Sequence, residues 1–262
     1  MDLGLTGKSA IVAAASKGLG KACALALARE GAHVAICART EAQLAAAAAD
    51  IRQATGADVL TVPADLTSGE DIRAVVAATA ERYGGVDILV NNSGGPRRGR
   101  FGDLSDEDWR LAFEVVTLNF VRFVRAAVPY MRAKRWGRII GVQSSSVKQP
   151  VANIDLSNGI RPGIAGLMKA LMPDLAADGI TINLVLPGSF RTGRISPELA
   201  DGPLDDPEIQ ARLKSLSAGI PVGRLGEPIE LGDLVAFLAS ERAAYITGAT
   251  YQIDGGVIAS NL

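Results

Sequence analysis

The sequence of 262 residues is long enough for one large α/β domain that buries most of its apolar surface. Hydrophobic residues make up 48% of it and charged residues 21%, which is typical of a globular protein rather than a disordered one. The formal net charge of −1 excludes the overall positive field that favours nucleic acid or an anionic membrane. No apolar run reaches the ~18 residues needed to cross a bilayer, and no signal peptide is recognisable at the N-terminus. We therefore expect a cytoplasmic protein that binds neither nucleic acid nor membrane.

Short apolar runs alternate with helical segments along the whole chain. One expected helix is opened by Ser105 as its N-cap and continues to about Lys134. The alternation predicts an α/β, doubly wound fold, a parallel sheet with helices on both faces. Without a repeat, linker or charge block, residues 1–262 are expected to form one domain. The strands are expected at residues 8–15, 32–38, 57–63, 86–91, 138–143, 181–186 and 250–254.

The turn after the first strand, residues 14–20, reads A-A-S-K-G-L-G and leads into a helix. A glycine-rich turn at this place binds a pyrophosphate, because backbone N–H groups and the positive end of the helix dipole face it. Gly18 and Gly20 stand at the expected positions, whereas Ala14 replaces the first glycine. The alternative is a plain strand-to-helix turn without a ligand.

The end of the second strand bears on which dinucleotide binds. NAD-preferring sites usually place a carboxylate there for the ribose 2′-hydroxyl, but this chain ends the strand with Cys37-Ala38-Arg39. Lys17 and Arg39 are two cations that suit a 2′-phosphate, which Arg can hold with two hydrogen bonds. We therefore favour NADP over NAD, with two solvated surface cations as the alternative.

In the order of its motifs the chain resembles the short-chain dehydrogenase/reductase family, especially its members similar to β-ketoacyl-carrier-protein reductases. The resemblance extends from about Leu5 to Val257. It implies a seven-stranded Rossmann-like sheet, a homo-oligomer that is usually a tetramer, and an oxidoreductase acting on a carbonyl or hydroxyl of a small molecule. The motifs are the turn at 14–20, D-L-T at 65–67, N-N-S-G at 91–94, T-L-N-F around Asn119, P-G at 187–188 with Thr192, and D-G-G at 254–256.

The resemblance also implies which residues contact the dinucleotide. In the family the D-L-T segment holds the adenine, and the P-G segment passes the nicotinamide carboxamide. No metal site is expected, because Cys23 and Cys37 are isolated in apolar segments. The expected cofactor-binding residues are Ala14, Ser16, Lys17, Gly18, Leu19, Gly20, Arg39, Asp65, Leu66, Asn91, Ser93, Gly94, Arg161, Pro187, Gly188 and Thr192.

The catalytic centre departs from the family pattern, in which a Tyr supplies the proton, a Lys four residues on lowers the Tyr pKa, and a Ser orients the carbonyl. Aligning G-R-I-I-G-V-Q-S places that Ser at Ser144, the Tyr at Ser157 and the Lys at Arg161. An aliphatic hydroxyl is a much weaker acid than a phenol, so Ser157 cannot simply replace the Tyr. Arg161 keeps N–H donors for ribose hydroxyls, but it does not titrate.

We therefore expect an NADP(H)-dependent oxidoreductase with a modified centre of Asn119, Ser144, Ser157 and Arg161. One alternative is a nucleotide-binding protein without turnover that acts as a sensor or partner subunit. Another, motivated by Ala14, is a structural protein that binds no nucleotide.

Several residues near this centre have open roles. Lys148 and Asp155 are the nearest titratable candidates to replace the Tyr, or they are solvated loop charges. Pro162 fits a helix that begins late, with Ser157 or Asn158 as its cap. In that case the Ser157 hydroxyl is occupied by capping.

Arginines are frequent where the substrate is expected to enter. Arg97, Arg98 and Arg100 follow N-N-S-G-G-P, and Arg191 and Arg194 belong to residues 189–218, the predicted substrate lid. They favour an acidic substrate, with an exposed basic loop as the alternative. The Pro-, Gly- and Asp-rich residues 197–221 are expected to be the most mobile part of the chain.

Overall fold

The computed structural model describes residues 1–196, 198–199, 202–203 and 205–260. Within these ranges seven strands form one sheet in the order β3-β2-β1-β4-β5-β6-β7, and every neighbouring pair is parallel. The predicted doubly wound, seven-stranded fold is confirmed. The strands are β1 Ser9–Ala13, β2 His33–Ala38, β3 Val59–Pro63, β4 Ile88–Asn91, β5 Gly137–Val142, β6 Ile180–Pro187 and β7 Thr250–Ile253.

Helices cover both faces of the sheet, because successive strand residues point to opposite sides. Ala10 and Val12 of β1 join the apolar cluster on one face, and Ile11 and Ala13 join the cluster on the other. In the described part of the chain no helix is both long and apolar enough to span a bilayer. The helices are α1 Gly18–Arg29, α2 Glu41–Thr55, α3 Gly69–Tyr83, α4 Asp106–Phe113, α5 Asn119–Lys134, α6 Asp155–Ala177, α7 Pro207–Ser217 and α8 Pro228–Ala239.

The strand order reverses direction between β1 and β4. In open α/β sheets a ligand binds outside the carboxyl ends of the strands at such a switch point, where the two neighbouring crossovers leave in opposite directions. The turn after β1 and the segments after β4, β5 and β6 all leave the sheet at this edge. The fold therefore gathers most of the motifs singled out in the sequence at one place.

The long helix expected from Ser105 to Lys134 is interrupted. Ser105 caps α4 as predicted, in a capping box with Asp108. A π-helical segment, Glu114–Leu118, then separates α4 from α5 and ends directly before Asn119. A π segment widens the helix by a residue and shifts the register of the residues after it, which frequently serves a functional side chain. Nothing in the hydrophobic period of the sequence indicated it.

Helix α6 begins earlier than expected. It starts at Asp155 with Ile154 as N-cap, so the predicted capping role of Ser157 or Asn158 is wrong. The Asn158 side chain bonds instead to both the N–H and the carbonyl oxygen of Val151, which anchors the chain ahead of the helix. Pro162 lies inside the helix on its exposed face, where water can satisfy the carbonyl that a proline leaves unbonded.

The segment expected to be mobile contains a helix that was not predicted from the sequence. Helix α7 lies within residues 197–221, capped by the Asp206 carboxylate, which accepts from the N–H groups of Glu208 and Ile209. Pro207 at its first position is pre-organised for a helix start. The expected mobility falls in part on residues 197, 200, 201 and 204, which lie outside the described ranges.

Trp109 of α4 packs against the start of α6. A Cβ at Gly159 would lie 2.9 Å from the Trp109 ring, so the two helices touch through a glycine. The other tryptophan, Trp136, lies just before β5, with the Lys8 Nζ 3.9 Å and the Arg138 guanidinium 4.3 Å from its ring centroid. These contacts fix α6 at one end of the sheet and the start of β5 at the other.

Candidate active site

The turn between β1 and α1 has the geometry of a phosphate-binding turn. Ala14 adopts φ of 49°, a left-handed conformation usually left to glycine. A Cβ at Gly20 would lie 2.3 Å from the Ala14 carbonyl oxygen, so only glycine lets the helix approach the strand so closely. Helix α1 starts without a side-chain cap and without an acid in its first turn. Its first N–H groups are therefore left for an anion, which fits the pyrophosphate of a dinucleotide.

The ends of β2 and β3 form the side of the site where the adenosine ribose is expected. Lys17 and Arg39 are both exposed. The Asp65 carboxylate accepts from the N–H of Thr67 at 2.9 Å and from its hydroxyl at 2.8 Å. These two bonds, with the nearby charge of Arg39, lower the pKa of Asp65. The predicted adenine-side acid is thus ionised and oriented, and a cation lies close to it.

A buried amide network joins three of the predicted segments. The Asn91 Nδ2 donates to the Asn119 Oδ1 at 2.6 Å, and the Asn119 Nδ2 donates to the Leu66 carbonyl at 3.3 Å. The neighbouring Asn92 donates to the Ala14 carbonyl at 3.3 Å. The ends of β4, β3 and β1 and the start of α5 are therefore held together, and the π segment delivers Asn119 to its place among them.

Ser144 lies two residues beyond the end of β5, at the carboxyl edge of the sheet. Its Oγ accepts from the N–H of Ser146 at 3.2 Å and so caps the short 3₁₀ turn Ser145–Val147. A hydroxyl that accepts one bond keeps its own hydrogen for another acceptor. The neighbouring Ser146 is buried, and its Oγ has no hydrogen-bond partner among the described residues.

Arg161 is 6% exposed, and its Nη1 donates to the Gln143 Oε1 at 2.9 Å. Its Nε has no partner among the described residues. Burial, and then the charge of Arg194, lower the pKa of Arg161 to about 10, so it stays protonated at neutral pH. Gln143 was not among the predicted site residues, although a polar residue between an apolar strand and Ser144 was a signal for it.

Ser157 is buried in the first turn of α6. It precedes Arg161 by one helical turn, so the two side chains share the inward face of the helix. Ser157 and Arg161, which replace the Tyr and the Lys, therefore lie on the same face of α6, the face directed towards the end of β5.

The two candidates for a replacement acid are engaged elsewhere. The Lys148 Nζ donates to the Gln252 Oε1 of β7 at 3.2 Å. Asp155 accepts from the N–H of Phe101 at 2.8 Å and from the Asn158 side chain at 3.3 Å. Both side chains hold loops in place through these bonds.

The start of the predicted lid packs over the phosphate turn. A Cβ at Gly188 would lie 2.7 Å from the Cβ of Asp254, which fixes the chain after β6 against the D-G-G segment. The Thr192 Cγ2 lies 3.5 Å from where a Cβ of Gly18 would be. The other predicted cofactor residues at this edge follow β1 and β4 or end β6, and they are Ser16, Leu19, Ser93, Gly94 and Pro187.

Most of the expected basic entrance is internally paired. Arg97 forms an ion pair with Asp108 at 2.9 Å, and Arg191 forms one with Glu227 at 2.9 Å. Arg100 donates to the Asn153 side chain at 2.8 Å. These three arginines hold loops together. Carboxylates neutralise Arg97 and Arg191, whereas Arg100 is bonded to a neutral amide, so Arg98, Arg100 and Arg194 keep their positive charge at the expected entrance.

The remaining reactive side chains have structural roles. Burial raises the pKa of the Cys23 and Cys37 thiols to about 12, so both are inert at neutral pH. His33 stacks on Tyr83 with ring centroids 5.1 Å apart. The described ranges contain no group of three or more His, Cys, Asp and Glu placed to hold a metal ion.

Comparisons with known proteins found similar reductases. A family model described as enoyl-(acyl carrier protein) reductase matches residues 13–258. The 3-oxoacyl-(acyl-carrier-protein) reductase FabG of Vibrio cholerae is 37% identical over 257 residues, which cover 97% of this chain and 99% of the relative. The L-sorbose reductase from Gluconobacter frateurii, solved with NADPH and L-sorbose, has a TM-score of 0.91 at 33% identity and covers 99% of this chain and 100% of its own. An actinorhodin polyketide ketoreductase solved with NADPH has a TM-score of 0.87 at 32% identity, covering 95% of this chain and 97% of its own.

Proposed function

Since the chain belongs to the short-chain dehydrogenase/reductase family, we propose that it is an NADP(H)-dependent oxidoreductase acting on a carbonyl or hydroxyl group of a small molecule. The similar reductases, two of them solved with NADPH, support both the reaction class and the cofactor. The cytoplasmic location and the homo-oligomer stay predictions.

One observation carries the proposal. The first turn of α1 is uncapped and free of acids, and it begins directly after the left-handed turn at Ala14. Lys17 stands at the N-cap, while Arg39 follows β2 where NAD-preferring sites have a carboxylate. Backbone N–H groups for a pyrophosphate and two cations for a 2′-phosphate are therefore neighbours at the switch point of the sheet.

The modified centre supports reduction by a route that does not need a phenol. A bound NADPH would supply the hydride for a substrate carbonyl. Ser144 is oriented by Ser146 and keeps its hydrogen to donate to the carbonyl oxygen. The protonated Arg161 stabilises the negative charge that develops on that oxygen. The proton that completes the reduction then comes from water, because Ser157 is too weak an acid.

The first experiment is a calorimetric titration with NADPH and NADH, followed by a panel of carbonyl compounds monitored through NADPH oxidation. We expect NADPH to bind more tightly than NADH. Lys17→Ala with Arg39→Ala should weaken NADPH binding at least about tenfold, since bonds to charged groups contribute about 1.5–3 kcal/mol each, and should leave NADH unchanged. Lys169→Ala, an exposed cation on α6, is the control. Equal affinities for the two nucleotides in the unmodified protein would contradict the NADP preference.

A nucleotide-binding protein without turnover is the second candidate, favoured by the loss of both the Tyr and the Lys at positions 157 and 161. Ser157→Tyr combined with Arg161→Lys separates the two. If the pair creates carbonyl reduction where the natural protein has none, the natural protein is the binder. If it abolishes an existing activity, the natural centre has its own chemistry. Lost general acid catalysis lowers a rate typically ~10²–10⁴-fold, which sets the sensitivity that the assay needs.

A further inference from the structure

Two arginines from separate elements meet at the entrance of the site, and a third is near enough for its charge to lower the pKa of one of them. Arg161 comes from α6, Arg194 from the predicted lid and Arg98 from the loop after β4. The two guanidinium groups of Arg161 and Arg194 face each other across Gly95. A Cβ at Gly95 would lie 3.1 Å from the Arg194 Nη2 and 3.2 Å from the Arg161 Nη2, and φ of 71° at this residue also requires glycine.

These charges are not balanced by protein carboxylates. Arg194 donates to the carbonyl oxygens of Gly94 at 2.6 Å and Pro96 at 2.9 Å, and Arg161 donates to the Gln143 amide. In the part of the chain that the structure describes, none of the ion pairs includes Arg98, Arg161 or Arg194. Burial and then Arg98 lower the pKa of Arg194, just as burial and then Arg194 lower that of Arg161. The cluster therefore repels itself.

The same region supplies carboxylates to two of its other arginines. Asp108 neutralises Arg97 and Glu227 neutralises Arg191, each at 2.9 Å. A buried polar group without a partner is rare and needs an explanation, and the Arg161 Nε is such a group among the described residues. An anion at the entrance would relieve both the mutual repulsion and the missing contacts, and the planar fork of Arg matches a carboxylate or phosphate oxygen pair.

We infer that the substrate is an oxo acid whose carboxylate binds between Arg98 and Arg194, with its carbonyl directed towards Ser144 and Arg161. This inference rests on the proposed function, because it assumes that a carbonyl is reduced in this site. A phosphate of the cofactor has the same chemistry, so the test must separate the two sources.

The test compares acetoacetate with methyl acetoacetate, which differ by one negative charge. Binding of each is measured by ligand-observed NMR on the protein saturated with NADP⁺ and on the protein alone. We expect acetoacetate to bind at least tenfold more tightly than the ester, and added salt to weaken only the acid. Arg98→Gln should weaken acetoacetate at least threefold and leave the ester unchanged. Arg100→Gln, the same charge change in the same loop at a residue bonded to Asn153, should change neither.

Equal binding of acid and ester, or equal effects of Arg98→Gln and Arg100→Gln, would overturn the inference. So would an Arg98→Gln variant that weakens NADPH and leaves acetoacetate unchanged, since the anion would then be a cofactor phosphate. The proposed function fails in a different way, by the absence of NADPH binding and oxidation. Binding of acetoacetate to the protein alone that depends on Arg98 would in that case leave an anion site without a reductase.

Discussion

At the scale of single residues, the backbone conformation of Ala14 shapes the phosphate-binding turn. Its φ of 49° costs a residue with a side chain about 1–2 kcal/mol. The carbonyl oxygen of Ala14 nevertheless accepts a hydrogen bond from the Asn92 side chain and lies close to the backbone of Gly20. The strain is therefore held by the packing of β1 against α1.

We expect Ala14→Gly to stabilise the protein by up to about 1 kcal/mol, because the relieved strain exceeds the extra freedom of glycine in the unfolded chain. Urea unfolding measures the change. Ala13→Gly is the matched control, since Ala13 is a buried strand residue without a positive φ. This variant should have a free energy of unfolding about 1 kcal/mol lower than the unmodified protein. A loss in both variants would show that Ala14 is not strained.

Asp87 ties β4 to β1 at the edge opposite the site. Its carboxylate accepts from the N–H and the hydroxyl of Ser9, both at 2.9 Å, and from the Lys134 Nζ at 2.7 Å. Burial raises the pKa of Asp87, but the bonds from Lys134 and Ser9 outweigh it and leave the pKa below its ordinary value. The ionised form is therefore favoured more in the folded state than in the unfolded one.

A depressed folded-state pKa contributes stability that is present above the unfolded pKa of ~3.9 and lost as pH falls through the folded value. We expect Asp87→Asn to lower the free energy of unfolding by about 2 kcal/mol at pH 7. Urea unfolding at pH 7 and pH 3 should show the gap between the two proteins narrowing in acid. A gap that widens at pH 3 would refute this.

At the scale of elements, helix α6 carries the substituted residues and contains one glycine that is tightly packed and one that faces open space. A Cβ at Gly159 would lie 2.9 Å from the Trp109 ring, whereas Gly163 is exposed and a Cβ there meets no atom within 4 Å. We expect Gly163→Ala to stabilise the protein by about 0.5–1 kcal/mol through helix propensity. Gly159→Ala should destabilise it, because the ring must move. Thermal unfolding of both variants measures the two changes in stability. If both variants became more stable, or both less stable, the packing of Gly159 against Trp109 would not explain the result.

The same scale shows what the sequence could and could not predict. Strands such as β5 and β6 are uninterrupted apolar runs, and their order follows from the alternation with helices, so the sheet was predictable. The π segment before Asn119 was not, because it changes the helical register by tertiary packing and leaves no trace in the pattern. The start of α6 was misplaced for a similar reason, since the Asn158 bonds to Val151 arise only in the folded chain.

The site, like the fold, has parts that the sequence predicted and parts that it did not. Local motifs predicted the phosphate turn, because it directly follows the end of β1. The hydrogen bond between Asn91 and Asn119 was not predicted, although both residues were singled out. The roles of the entrance arginines were not predictable, since which of them finds a carboxylate depends on residues such as Glu227 that lie far along the chain. Arg194, by contrast, faces Arg161 across Gly95.

At the scale of the whole molecule, the site joins the ends of β1, β4, β5 and β6, so a bound dinucleotide stabilises the entire sheet. A ligand present at a hundred times its Kd adds about 2.7 kcal/mol. For a chain of this size we expect NADPH to raise Tm by roughly 5–10 °C, and NADH at the same concentration to raise it less. Thermal unfolding followed by circular dichroism measures the shift. If neither nucleotide changes Tm, the nucleotide-binding proposal fails.

The contact between Trp109 and Gly159 also gives the molecule an optical consequence. Trp109 packs against α6 only two residues after Ser157, while Trp136, the second of the two tryptophans, precedes β5 at its amino end beside Lys8 and Arg138. A six-residue strand separates the level of Trp136 from Ser144, which is roughly 20 Å at 3.3 Å per residue. A chromophore at the site would therefore quench the emission of Trp109 far more than that of Trp136. The protein carries one fluorophore beside its reactive centre and another that serves as an internal reference.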